Sequence, residues 1–540
     1  MSASLKFSRE TLGPDLGSGL TVALVSIPEG MAYAMVAGVN PVYGLYTGMV
    51  TTIVASLTGS TSLMVVTLTN ALALVTAETL AGLGGDVDVR TMFTLTLLVG
   101  AIMFILGVLK LGSIIRFVSV EVMTGFVFAT ALLIVLGQYD ELVGYASTLE
   151  DANKLVKAVD ITLHIGEWNL YTTIVGVGSI IVLLGLKRIR PLEKWADVLI
   201  IVLSSLFVLV LGWGVFVELV GDIAEVPSGL EALPKPVLPD FSAIPLLIGG
   251  AIAAAVVGLA EGSGAGAAYP NPDGSKSDMS RDFSAQGLGN MVGSFFQAMP
   301  AGASLSRTGI NAGGGAQTRW AGVFSGILLA LTLVLFGAAT ELIPMAGLAG
   351  LLMVIGFEIM IREGKELNIA WRVDKIATTA AVATIVVGVF EDLTVAIFTG
   401  VVLSLLIYTF ESASQVKVSR LVRREDGRWE TQPPPEVLPS GQATVLQTDG
   451  NVYFASIYSI EDLLPAYEST RNAVLIISMR GRESINTTMI DHLKELASKL
   501  EASGNKLMLS GVEEAVMEDL KAGELFEVVG EEYVFPIQPV

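Results

Sequence analysis

The first 411 residues are a succession of apolar stretches, each about 15–25 residues long, broken by short polar turns. Roughly 20 apolar residues carry a helix across a bilayer. Only helices and closed barrels satisfy every backbone group there. The stretches are helical in length, so the pattern predicts a polytopic all-α membrane protein over residues 1–411. Fourteen segments are predicted. Seven precede Asp222, at about 15–38, 42–58, 67–82, 91–109, 117–137, 170–186 and 196–220. Seven follow it, at about 243–266, 283–298, 306–317, 320–340, 344–361, 374–390 and 393–411. The first is too long and lacks the small-residue cleavage site of a signal peptide. Segments three and ten are short and rich in Gly, Thr and Asn. They hold the same ordinal place in each half, which points to inverted seven-plus-seven repeats around a midplane binding site.

Basic residues set the expected orientation. With a cytoplasmic N-terminus, the inside loops hold Lys110, Arg116, Lys187, Arg188, Arg190, Lys194, Lys276, Arg281, Arg319, Arg362, Lys365, Arg372 and Lys375. The outside loops hold only Arg90, Lys154, Lys157 and Lys235, and carry Asp86, Asp88, Asp140, Glu141, Glu150 and Asp151. That is the positive-inside bias. An even number of crossings also places the tail inside.

The charged tail has no spanning segment. Residues 412–440 read as a linker, with Pro433, Pro434 and Pro435 inside Arg423–Ser440. Residues 441–540 read as a small cytoplasmic α/β domain. Strands are predicted at Ala443–Leu446, Val452–Ile457, Ala473–Met479 and Lys506–Leu509. A helix over Thr487–Leu500 places Ile490, Leu493, Leu496 and Leu500 on one face. The loop from Arg480 to Thr488 offers Ser484, Thr487 and Thr488 for phosphorylation, but a capped helix start is the preferred reading.

The composition excludes much else. There is no cysteine, and 52% of residues are hydrophobic with only 16% charged. Thiolate metal sites, disulfides and ordinary soluble enzymes are therefore set aside. No metal site, cofactor or nucleophile–base constellation is predicted, and no enzyme activity. No glycine-rich phosphate loop supports ATP-driven pumping. The formal charge of −20 argues against nucleic acid. It divides as 32 acids against 20 bases in residues 1–411, and 20 against 12 in residues 412–540.

Charges and hydroxyls inside a membrane usually mark function. Ser304, Ser306 and Thr308 open segment ten, where free helix N–H groups attract anions. Arg307 adds a permanent cation able to bind an oxyanion through two N–H groups. The alternative is that the serines only cap and Arg307 snorkels or pairs with a carboxylate. Gly313–Gly315 permits close helix approach. Segment three begins near Thr67, Leu68, Thr69 and Asn70, whose polar groups serve either as ligand donors or as ordinary caps. Glu261 follows the nearly apolar run Ile248–Ala260. It is read as a group that couples H⁺ or Na⁺, the alternative being a static ion pair with Arg307. Glu29 follows Pro28, where proline is expected to break the helix; it lines the cavity or satisfies freed backbone donors. Glu121 and Glu358 are expected near helix ends, and Glu391 and Asp392 in an outside turn.

The chain resembles the sulfate permease family of solute-carrier anion transporters. The resemblance rests on Ile27–Ala34 with Ala37–Tyr46, on Asp282–Asn290, and on Ser304–Asn311 with Gly315–Gly322. The tail is similar to the family's sulfate-transporter and anti-sigma-antagonist (STAS) domain. The resemblance implies fourteen helices in core and gate subdomains, elevator-like alternating access and a homodimer in a prokaryotic plasma membrane. It puts a small inorganic or dicarboxylate anion between Thr67–Asn70 and Ser306–Thr308. It puts the coupling carboxylate at Glu261, where glutamate suggests protons in preference to sodium. An anion channel, an uncoupled exchanger and a nucleobase carrier are the alternatives; the Ser-Arg-Thr context of Arg307 argues against the last. Three positions depart from the family pattern. Glu29 stands where glutamine is usual, Val65–Leu68 replaces a Ser-Val-Gly-Pro run, and Glu483-Ser484 replaces an Asp-Ser pair.

Overall fold

The computed structural model describes residues 9–84, 88–112, 118–149, 152–193, 195–223, 225–426, 428–450 and 456–537. Asp86, Arg116, Glu150, Asp151 and Lys194, used in the orientation argument, lie outside the described residues. The chain divides into two compact units, Met1–Ser404 and Leu405–Val540.

Each predicted apolar segment contains one principal helix. They are α1 (Arg9–Val36), α2 (Val42–Thr58), α3 (Asn70–Ala81), α4 (Val89–Val108), α5 (Val120–Gly137), α6 (Leu170–Arg188) and α7 (Ala196–Leu211). The second half holds α8 (Ile244–Ala268), α9 (Met279–Ser294), α10 (Leu305–Gly313), α11 (Trp320–Thr340), α12 (Met345–Val373), α13 (Lys375–Phe390) and α14 (Leu393–Ser414). Eight helical stretches among the described residues are long and apolar enough to cross a membrane.

Three local expectations are corrected. The first helix runs unbroken through Pro14 and Pro28. A mid-helix proline removes one N–H bond, but burial on both sides of Pro28 holds the helix together. Glu358 sits well inside α12, because that helix continues to Val373. Its second half is carried by a polar amphipathic surface that a hydropathy reading stops short of. Segment three opens as an extended pair before its helix begins at Asn70.

The helices pack in two groups. In one, α4 lies on α9 and α8, α2 on α9 and α11, and α1 on α11, with α3 and α10 between them. In the other, α5 packs on α12 and α13, and α6 on α12 and α7. Close approaches need glycine: a Cβ on Gly287 would fall 2.4 Å from the Phe104 nitrogen, fixing α9 against α4. The seam between the groups is apolar. Ala23, Met31 and Ala32 of α1 share a cluster with Leu183 of α6, Ala196 and Ile200 of α7, and Leu348 and Leu352 of α12.

Two short strands cross the middle of the first group, β1 (Val66–Thr67) and β2 (Gly302–Ala303). They pair antiparallel, with Val66 opposite Ala303 and Thr67 opposite Gly302. Extended backbone at membrane depth must be satisfied by protein. Side chains from α2 and α9 complete that task here. The Thr52 hydroxyl donates to the Val66 carbonyl at 2.7 Å, and Ala303 N–H donates to Gln286 Oε1 at 3.1 Å. Asn290 brackets Ala301, accepting from its N–H and donating to its carbonyl, each at 2.8 Å.

The second unit is a six-stranded sheet with helices. Its strands are β3 (Lys417–Arg423), β4 (Trp429–Gln432), β5 (Ala443–Asp449), β6 (Val474–Ser478), β7 (Lys506–Val512) and β8 (Val534–Pro536), in the order β4-β3-β5-β6-β7-β8. Strands β5 to β8 are parallel and β3 is antiparallel to both neighbours. The expected linker 412–440 therefore contributes β3 and β4, corrected because cross-strand pairing with β5 recruits a polar stretch whose own pattern is weak. Most of the expected strand 452–457 lies outside the described residues; Ile457 begins a helix, α15 (Ile457–Glu461). The helix over 487–500 is present as α16 (Thr487–Ala502). It buries Ile490, Leu493, Leu496 and Leu500 and is capped by Asn486, which accepts from Met489 N–H.

Candidate functional site

Helices α3 and α10 both begin within three residues of the antiparallel β1–β2 pair. The first N–H groups of a helix have no intrahelical partner, so two positive helix ends converge on this crossing. Each start is capped. Thr69 accepts from Leu72 N–H at 3.3 Å, and Ser304 accepts from Arg307 N–H at 3.3 Å.

Arg307, in the first turn of α10, is only 1% exposed. A buried guanidinium must be paired and hydrogen-bonded. Its Nη2 lies 3.0 Å from Glu29 Oε2, an ion contact without the alignment of a hydrogen bond. Its Nε donates to the Ser26 hydroxyl at 2.9 Å, and its Nη1 reaches the Leu68 carbonyl at 3.4 Å. One side chain thus ties α1, the residue ahead of the α3 cap, and α10 together. The static pair that sequence reasoning weighed for Arg307 exists, but its partner is Glu29 and not Glu261.

Glu261, on α8, faces the other helix start. Its Oε2 accepts from the Thr69 hydroxyl at 2.9 Å, so Thr69 caps α3 and contacts the carboxylate at once. Gly302 makes this approach possible. A Cβ there would fall 2.9 Å from the Gly258 Cα and 3.2 Å from Glu261 Oε2.

The other expected residues divide. Leu68 and Thr67 are buried, and Thr67 is engaged through its backbone with Gly302. Asn70 opens α3 with its Nδ2 buried and unpartnered among the described residues. The Thr308 hydroxyl accepts from Val65 N–H at 3.1 Å and keeps a proton to donate. Ser306 is exposed. Ser26 and Tyr33 were not singled out from sequence. Ser26 is an ordinary helix serine until α10 is placed beside it, whereas the buried Tyr33, one turn after Glu29, was visible as a polar aromatic in an apolar helix.

Part of the tenth-segment pattern is structural. Asp15 accepts from Gln317 and Thr318 N–H groups at 2.7 and 3.0 Å, fixing the approach to α11. Arg319 donates to the carbonyls of Ser56, Leu57 and Gly59 beyond and at the end of α2. Asp282 holds Ser60 and Thr61 N–H groups at 2.6 and 2.9 Å. These groups close loops.

A buried cation at two helix starts, inside a helical membrane unit, is an arrangement that fits the class of membrane transporters. The particular family follows from comparison. The pattern of the Sulfate permease family matches residues 12–384, and the STAS domain matches residues 434–539. The chain belongs to the sulfate permease family, and it is an integral membrane transporter and not an enzyme. It is similar to Bacillus subtilis YvdB, 26% identical over 528 residues that cover 96% of this chain and 95% of the relative. It is also similar to Arabidopsis thaliana "Sulfate transporter 4.1, chloroplastic", 27% identical over 554 residues, covering 96% and 78%. The fold is shared with the murine Slc26a9 anion transporter in the inward-facing state, at a TM-score of 0.85 and 20% identity, over 99% of this chain and 91% of that one. The transmembrane domain of the cyanobacterial bicarbonate transporter BicA gives a TM-score of 0.60 at 19% identity, over 74% and 98%.

Proposed function

We propose that the protein is a secondary active carrier of small anions (sulfate, bicarbonate or a dicarboxylate), coupled to protons and working by elevator-like alternating access. The observation that carries this reading is Arg307, buried at the crossing of two helix starts with Glu29 as its one ion-pair partner among the described residues. An entering anion meets the Arg307 guanidinium and the N–H groups opening α3 and α10. Thr67, Leu68, Thr69 and Asn70 line it from one side, and Ser306, Arg307 and Thr308 from the other. Glu29 competes for the same cation. Glu261 takes up the proton: its partner is a hydroxyl and not a cation, so its neutral form leaves no buried charge stranded.

The packing of α1 against α6, α7 and α12 through apolar contacts supports a sliding seam. Residues 1–411 form the carrier and 441–540 the STAS domain, whose sheet is extended by β3 and β4 from residues 412–440, with the N-terminus and the STAS domain cytoplasmic and the carrier a homodimer. Uptake of labelled sulfate, bicarbonate, fumarate and chloride into proteoliposomes, with and without a pH gradient, tests the reading. Saturable, gradient-driven accumulation of one of them is expected. Large ohmic currents in its place would make the protein a channel, and no flux under any gradient would end the carrier reading.

A further inference from the structure

A second charged cluster lies in the other helix group, across the seam from Arg307. Lys187, at the end of α6, donates to both oxygens of Glu358 on α12, at 2.9 and 2.8 Å. Asp197, in the first turn of α7, brings Oδ1 to 3.5 Å from the same ammonium. That oxygen is buried without a hydrogen-bond partner among the described residues. The three side chains together carry one net negative charge, and their side-chain exposures differ: 21% for Lys187 and Asp197, 50% for Glu358.

The cluster is not isolated from the binding centre. Ala196 packs in the same apolar cluster as Met31, Ala32 and Tyr33, which follow Glu29 on α1. Asp197 follows Ala196 directly, and Leu183, one turn before Lys187 on α6, packs in that same cluster. Apolar packing between them keeps the local dielectric low, so these charges are felt across the seam.

The net charge of the binding centre changes during transport. Glu29 and Arg307 cancel. An anion arriving alone adds negative charge to the helix group that must slide past α7; an anion arriving with a proton on a carboxylate adds one unit less. From this juxtaposition we infer that Asp197 makes the Lys187–Asp197–Glu358 cluster an electrostatic guard that disfavours passage of the anion-loaded, proton-free centre and so suppresses uncoupled anion leak. This rests on the proton-coupled carrier reading and adds a residue outside the binding centre to it. Asp197 touches no anion; it acts through the field it sets across the seam.

The test uses the full chain in proteoliposomes and, of sulfate, bicarbonate, fumarate and chloride, the anion with the largest wild-type flux. Flux is measured with and without a pH gradient for wild type, Asp197→Asn, Asp197→Glu and Glu358→Gln. Asp197→Asn should raise gradient-independent flux by roughly tenfold while gradient-driven flux persists. Asp197→Glu should behave as wild type. Glu358→Gln removes the same formal charge from a half-exposed position, so screening should limit its rise to about two- to threefold. A wild type without gradient-driven flux overturns the carrier reading and this inference with it. With a coupled wild type, an unchanged leak in Asp197→Asn overturns the inference alone. So does selective loss of gradient-driven flux in that variant, which would make Asp197 itself the proton carrier. If Asp197→Asn fails to fold, a wild-type leak in Glu358→Gln overturns the guard.

Discussion

The two carboxylates of the proposed binding centre stand in contrasting surroundings. Glu29, on α1, meets a guanidinium at 3.0 Å. Glu261, on α8, meets one hydroxyl at 2.9 Å, and no cation lies within ion-pair distance of it among the described residues. Neutralising Glu29 would strand Arg307 in the interior, whereas neutralising Glu261 strands nothing. Two glutamates of one type, at the starts of the same binding centre, are thus suited to opposite tasks. In the proposed carrier, one fixes the cation and competes with the anion, and the other gains and loses the proton.

Removing the cation should break this contrast most severely. Arg307→Ala leaves Glu29 buried and unpaired, which costs roughly 3–5 kcal/mol, and uptake should be abolished. A thermal melt and an uptake assay check both; a well-folded Arg307→Ala with near-normal uptake would remove Arg307 from the binding centre. Next, Glu261→Gln should eliminate pH-driven accumulation and leave anion counterflow exchange largely intact, as measured in preloaded proteoliposomes. Accumulation that survives the substitution would shift the proton role elsewhere.

Packing at the crossing gives a third test. Gly302→Ala places a methyl group 2.9 Å from Gly258 Cα, and overpacking of this kind costs about 1–3 kcal/mol, visible as a lower melting temperature with weakened uptake. Glu29→Gln removes the competitor for Arg307. Apparent KM for the anion should fall by roughly three- to tenfold, since an opposing charge near the site is gone. A raised KM would mean that Glu29 chiefly orients the guanidinium. The smallest effect is expected for Thr69→Val, which removes a helix cap and one hydrogen bond to Glu261 at a cost of about 1 kcal/mol.

Much of this was legible from residues. The apolar segments predicted where helices fall, from the long α1 to the short α10, because span length and hydropathy are local properties. Glu261 stood out as a charge after an apolar run, and Arg307 as a cation opening a short segment rich in Ser, Thr and Gly. The pairing did not. Whether Arg307 meets Glu29 or Glu261 depends on the crossing of β1 and β2, four residues that no pattern identifies as strands. In the tail, α16 showed its apolar face at helical spacing, but β3 and β4 became strands only through their neighbours.

The sequence by itself determined a helical membrane unit followed by an α/β domain, and a cation at the start of a broken helix. Backbone groups in a bilayer leave no other solution for that apolar pattern. Only the tertiary structure decided which carboxylate neutralises that cation, and that Lys187, Asp197 and Glu358 come together. Coulomb interactions depend on distances in space, and segments hundreds of residues apart acquire those distances only on packing.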